Sequence, residues 1–200
     1  MRRVILMAIL ALALPVAAFA TSSVDYTNSS GTLTGTASGG ISLTGSVIIG
    51  YGPAGSPPIK TGNLGTLSFT TGALLSGTLD GKTPATFANG GSFTITGVGV
   101  PSFTGTFNGP NPVTWTMSTL TNGTHSYTLV GTVSGTLGNF ATSGSTIQMT
   151  INTGHSFFSG STLISSGDTN ILVPEPGTLG LLGTGLVGIA GLVRRKLKMS

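Results

Sequence analysis

The chain has no cysteine and few charged residues, and both features limit the kinds of functional site that it can form. Only 8 lysines and arginines and 4 aspartates and glutamates occur among 200 residues. Without cysteine there are no disulfides, no thiolate nucleophile and no cysteine-based zinc site. The acidic residues are too few and too scattered for a carboxylate-rich calcium loop. Stability must therefore come from a hydrophobic core.

The positive formal charge of +4 does not describe the main part of the chain. Most of the basic residues lie close to the two ends, namely Arg2, Arg3, Arg194, Arg195, Lys196 and Lys198. Between them, residues 21–173 hold two lysines and three aspartates, a formal charge of −1. Binding to a phosphate backbone requires a basic patch that releases counterions. We therefore expect no nucleic-acid partner.

Residues 1–20 have the pattern of a secretory signal peptide. Two arginines precede an apolar stretch at 4–14, and Ala18 and Ala20 supply a small-residue cleavage site. The pattern predicts that signal peptidase processes the chain and that Thr21 begins the mature protein.

A second apolar run extends over residues 177–193. As an α-helix its 17 residues would be about 25 Å long, at the short end of what spans a bilayer. The basic tail 194–200, which begins with Arg194 and Arg195, would hold that end in the cytoplasm. The sequence therefore predicts a C-terminal transmembrane helix with the rest of the chain on the outer side.

A Pro-Glu-Pro triplet, Pro174, Glu175 and Pro176, comes just before this run. The order of triplet, apolar run and basic cluster with Arg194 and Arg195 resembles the C-terminal sorting signal of PEP-CTERM proteins. That resemblance implies cleavage near the triplet by exosortase, a membrane protease. It also implies an inner-membrane intermediate, then a place at the cell surface or outside the cell, with exopolysaccharide as a possible partner.

The body, residues 21–170, alternates apolar and hydroxyl residues. Val113, Trp115 and Met117 fall on one face of a run whose other face holds threonines, and residues 147–152 alternate in the same way. A period of two is typical of β-strands with one buried face. Clusters of Asn, Asp and Gly separate the runs. We expect an all-β domain, built as an antiparallel β-sandwich or closed sheet.

The end of the body is harder to assign from the pattern. Asn152-Thr153-Gly154 resembles a turn, and the polar stretch 159–170 is interpreted as a lead into a linker at 171–176. Residues 171–173 could form a last strand or a stalk.

Few side chains qualify for catalysis, and we predict no catalytic, cofactor or metal site. Asp80 and Asp168 each lie in sequence typical of turns, and Asp25 lies close to the start of the mature chain. The two histidines, His125 and His155, are interpreted as surface or hydrogen-bonded structural residues.

The leading hypothesis is an exported, non-enzymatic structural or interaction protein. One alternative is an adhesin or glycan-binding module that stacks Trp115, Tyr127 or Tyr51 on sugar. The other is a hydrolase that uses His125 or His155 with an aspartate. Trp115 alternates in phase with apolar neighbours, which favours a place in the core.

Overall fold

The computed structural model describes residues 22–173. The predicted signal peptide 1–20, the triplet at 174–176, the apolar run 177–193 and the basic tail 194–200 lie outside the described residues. Among residues 22–173, no helix has the length and apolar character needed to cross a membrane.

The described chain consists of strands joined by turns and loops. Its fourteen strands are β1 (Ser22–Ser29), β2 (Thr32–Thr36), β3 (Gly40–Pro53), β4 (Lys60–Thr61), β5 (Gly65–Thr70), β6 (Leu74–Ser76), β7 (Ala85–Phe87), β8 (Ser92–Gly97), β9 (Phe103–Phe107), β10 (Val113–Thr119), β11 (His125–Leu137), β12 (Phe140–Gly154), β13 (Ser161–Leu163) and β14 (Ser166–Val173). The all-β prediction is confirmed, and the predicted runs at 113–117 and 147–152 lie inside β10 and β12.

Eight strands form one closed antiparallel sheet. Their order is β12-β14-β1-β3-β5-β8-β9-β11, and pairing of β11 with β12 closes the circle. The structure thus selects the closed sheet over the sandwich. Closure satisfies the backbone hydrogen-bonding groups that an open sheet would leave at its edges.

The closed sheet has two ends that differ in what they carry. The proximal end holds both ends of the described chain, at Ser22 and Val173, together with the loops 54–64, 98–102 and 138–139. The distal end holds the additional strands β2, β13, β10, β7 and β6, which pair with one another or extend from β3 and β11. Both ends of the domain therefore leave the same end of the sheet.

The hydrophobic core is formed by the apolar side chains that alternate with hydroxyl residues along the strands. Phe93, Phe103 and Ile147 of the closed sheet and Trp115 of β10 are fully buried, whereas alternate threonines face solvent. Each such side chain contributes roughly 1.5 to 3 kcal/mol when it leaves water. The prediction that Trp115 lies in the core is confirmed.

Two glycines are required by close approach of neighbouring strands. At Gly65, with φ of 119°, an added Cβ would lie 1.9 Å from the carbonyl oxygen of Thr96. At Gly135 an added Cβ would lie 2.1 Å from the carbonyl oxygen of Thr104. Neither position leaves room for a side chain.

The structure corrects the reading of the last part of the body. The stretch 159–170 is not a lead into a linker, because it contains β13 and most of β14. β14 continues through 171–173, and Ile171 is fully buried. Asn152–Gly154 is the end of β12 and not a turn. The polar character that resembles a loop belongs to the solvent-facing side of strands.

Candidate functional site

Two carboxyl groups meet on the outer wall of the sheet, on the two strands that begin and end the domain. Asp25 lies on β1 and is partly buried, and Asp168 lies on the neighbouring strand β14 and is exposed. Their side chains are within hydrogen-bond reach. The interpretation of Asp168 as a turn residue is wrong, because it pairs with Thr150 of β12 in the middle of a strand.

The surroundings of Asp25 disfavour its charge. Its cross-strand neighbour is Gly52, and the segment 57–59 packs over that glycine. Burial, followed by the hydrogen bond to Asp168 and the repulsion of its charge, raises the pKa of Asp25 to about 7, against a weaker opposing hydrogen bond from the Tyr26 backbone. With both groups ionised, Oδ1 of Asp25 is buried and has no hydrogen-bond partner. A proton shared by the two carboxyl groups would add a hydrogen bond between Asp25 and Asp168.

This pair does not fit the geometry of a glycosidase. Retaining and inverting enzymes separate their two carboxyl groups by about 5 Å or more, so that a sugar can lie between them. Asp25 and Asp168 are in direct contact and lie on an outer wall. Their arrangement fits a structural role in the seam between β1 and β14.

Both histidines lie at the distal end, and His125 belongs to a group of stacked side chains. His125 is buried, and its ring stacks on Phe157 at 4.0 Å between centroids. The ammonium of Lys82 lies 4.3 Å from the centroid of the same Phe157 ring and pairs with Asp80 at 3.6 Å. This chain of contacts fixes the loops that follow β6 and β12 against the start of β11.

Neither histidine has a carboxylate as its hydrogen-bond partner in the described part of the chain. Nδ1 of His125 bonds to the hydroxyl of Thr119 at 3.1 Å, and Nε2 of His155 bonds to the backbone oxygen of Asn122 at 3.2 Å. Within residues 22–173, no three ligating side chains converge to hold a metal ion. Both hydrogen bonds join a histidine to a neighbouring segment of the chain, which is a structural role.

Asp80 is a turn residue, as predicted, and it organises its own loop. Its carboxylate accepts hydrogen bonds from the Thr78 hydroxyl and the Lys82 backbone. The Thr78 bond, with help from Lys82, lowers the pKa of Asp80.

Two of the three aromatic residues proposed for sugar stacking lie in the core, and the third, Tyr51, is partly buried. Trp115 and Tyr127 are fully buried and stack on each other at 4.9 Å. The Trp115 indole donates to the backbone oxygen of Leu79, and Tyr51 packs against Tyr26 at the proximal end. A ring inside the core cannot offer a face to a glycan.

A shallow polar cleft of about 230 Å³ lies between β2, β3 and the loop before β13. Its lining includes Thr34, Thr36, Ser42 and Gly160, and the hydroxyls of Thr34 and Ser42 bond to each other at 2.8 Å. Its lining contains neither a charged group nor an aromatic ring, so the polar groups of its side chains are hydroxyls.

Sequence reasoning missed the Asp25–Asp168 pair and the stack on Phe157. The pair joins residues of the first and last strands, which are far apart in the sequence, so no local pattern predicts their contact. The stack depends on a loop residue, Phe157, which follows β12 and is partly exposed. Only the register of His125 opposite Gly154 brings it near.

Comparison with protein families finds a match at the end of the domain. Residues 172–196 match the PEP-CTERM protein-sorting motif. The chain therefore carries the sorting signal that its triplet, apolar run and basic cluster predicted. No curated protein and no solved structure matches the chain.

The motif indicates how the protein is exported and processed. It implies export, a membrane-anchored intermediate and processing by exosortase. The match begins at Leu172, so the matched motif overlaps the last two residues of β14.

Proposed function

We propose that this chain is an exported structural or interaction protein whose β domain is displayed at the cell surface or in the extracellular matrix after exosortase removes its tail. The observation that carries the proposal is the motif match at 172–196, which adjoins a closed β domain. In this proposal residues 1–20 direct export and are cut after Ala20. Residues 177–193 hold the intermediate in the inner membrane.

A non-enzymatic role is supported by how the polar groups of the domain are used. The carboxyl pair lies in a strand seam on the outer wall, and each histidine bonds to a neighbouring structural group. The solvent-facing sides of the strands are rich in threonine and serine, which keeps a nearly uncharged domain hydrated. Such a surface suits a hydrated polysaccharide matrix, where exopolysaccharide is the partner we propose.

The experiment is expression of the full chain with and without a partner exosortase, followed by intact-mass analysis of the mature protein. We expect loss of the residues after the triplet only when exosortase is present. A variant with Pro174, Glu175 and Pro176 changed to alanine should stay unprocessed. A control with Pro57 and Pro58 changed to alanine should be cut normally.

An intact tail in mature protein from an exosortase-competent host would contradict the processing step. Equal processing of the triplet variant and the wild type would show that the triplet is not the recognition element.

A further inference from the structure

The loops of the proximal end form one connected surface. The backbone N–H of Gly138 donates to Ser102 at 2.7 Å, which joins loop 138–139 to loop 98–102. Lys60 of β4 donates its ammonium to the backbone oxygen of Gly99. The N–H of Val98 also donates to Leu64 at 2.8 Å. Loop 98–102 is thus held on both sides by hydrogen bonds to the neighbouring loops.

Each of these connections presents a large apolar side chain to solvent. Ile59 is 68% exposed, Val98 is 65% exposed, and Phe140, directly after loop 138–139, is 74% exposed. Exposed apolar residues that stand alone are ordinary on a protein surface, but a group on linked loops marks an interaction site. We call these three residues the proximal apolar tips. The charged residue among these loops is Lys60, a cation.

The length of chain between the domain and the apolar run 177–193 indicates which surface the proximal apolar tips face. Three residues separate Val173 from the apolar run that begins at Gly177. Even fully extended, they reach about 10 Å. The polar headgroup layer on each side of a bilayer core is of order 5–8 Å thick. Resting on the proposed function that 177–193 is inserted in the membrane, this tether keeps Val173, and with it the proximal end, at the lipid headgroups.

We infer that the proximal apolar tips, Ile59, Val98 and Phe140, dock this end of the domain on the lipid surface while the tail is inserted. Aromatic and aliphatic side chains on loop tips bury their apolar parts at the headgroup boundary, and a neighbouring lysine is attracted to anionic lipid. Docking would hold the domain close to the bilayer until processing. Removal of the tail would then free the domain, because three tips alone give weak, reversible binding.

The absence of cysteine makes a direct measurement possible. We would label the full chain at a single introduced cysteine, Asn139→Cys at the proximal end or Thr121→Cys in the distal loop between β10 and β11. The labelled chain would be placed in nanodiscs of phosphatidylcholine and phosphatidylglycerol that contain a headgroup spin-labelled lipid. We expect quenching of the fluorophore at position 139 and little quenching at position 121.

A matched pair of triple variants separates docking from general changes. Serine at the three proximal tips should reduce quenching at position 139, although the short tether should keep it above the level seen at position 121. Serine at three distal residues that are also exposed, Leu75, Leu120 and Leu163, should leave quenching at position 139 unchanged. Near-ultraviolet circular dichroism would confirm that both variants keep the native fold.

The outcomes separate this inference from the proposal on which it rests. Alkaline carbonate extraction tests whether the chain is inserted in the membrane. If the chain stays in the membrane after extraction but position 139 is not quenched, or is quenched equally in the proximal variant, the docking inference is wrong and the membrane anchor is still supported. If carbonate extracts the chain, insertion of residues 177–193 is wrong, and docking during an anchored stage falls with it.

Discussion

The Asp25–Asp168 pair should make the stability of the domain depend on pH in an unusual direction. The folded state raises the pKa of Asp25 from 3.8 to about 7. Between these values the folded domain keeps a proton that the unfolded chain releases. The free energy of unfolding therefore falls as pH rises from about 4 to about 7, and it changes little above that range.

The size of the effect follows from the shift and from the exposure of the group. Each unit of pKa corresponds to about 1.4 kcal/mol, so a shift of this size would give about 4 kcal/mol if Asp25 were fully buried. Asp25 is only partly buried and its partner Asp168 is exposed. Screening by solvent reduces the expected contribution to about 1–2 kcal/mol.

The perturbation is Asp25→Asn, which removes the ionisation but keeps the shape of the side chain. Its amide can donate a hydrogen bond to the ionised Asp168. At pH 8 we expect the variant to be more stable than the wild type by about 1–2 kcal/mol, or roughly 2–8 °C in Tm for a domain of this size. At pH 4 the two proteins should differ by less than about 0.5 kcal/mol, since surface substitutions without a charge effect change little.

The assay is urea unfolding of the full chain in mild detergent at pH 4, 6 and 8. Asp80→Asn is the control, because hydrogen bonds lower the pKa of Asp80 and its contribution is present at neutral pH and lost on acidification. Its effect should therefore have the opposite dependence on pH. Wild-type stability that does not fall between pH 4 and pH 7, or an Asp25→Asn variant no more stable than wild type at pH 8, would refute this reasoning.

Two further substitutions test how the core is held. Tyr127→Phe removes a hydroxyl that accepts a hydrogen bond from the Phe158 backbone at 2.9 Å and donates one to the Asp80 backbone at 3.0 Å. It should lower the free energy of unfolding by about 2 kcal/mol, and an unchanged urea midpoint would contradict this. Gly135→Ala places a methyl group 2.1 Å from a backbone oxygen of β9 and should cost about 2 kcal/mol or more. A thermal midpoint equal to that of the wild type would contradict it.

The strands of the middle of the domain could be predicted because their signal is local. Val113, Trp115 and Met117 alternate with threonines, and this pattern alone gives both the strand and its buried face. The structure agrees, with Val113 and Trp115 fully buried and Met117 partly buried.

The closure of the sheet could not be predicted in the same way. It depends on β14 lying between β12 and β1, and therefore on contacts between the start and the end of the domain. β14 also lacks a clear apolar alternation. Gly167 and Thr169 face inward beside Ile171. Asn28 packs against Gly167, so a larger side chain would not fit there. A strand with a glycine and a threonine on its buried face is indistinguishable from a loop in the sequence.

We also predict that the position of β14 limits where exosortase can cut the chain. Leu172 pairs with Thr146 of β12, and Ile171 beside it is fully buried, so the backbone up to Leu172 is held in the sheet. Proteases require extended, unpaired backbone, so we expect the mature C-terminus to lie at or beyond Val173. Ile171→Ala should cost about 2–5 kcal/mol and loosen this end of the strand. Intact-mass analysis should show one product ending at or after Val173 in the wild type, with products ending upstream only in the variant. A wild-type product that ends before Leu172 would show that the strand opens during processing and that closure of the sheet does not limit the protease.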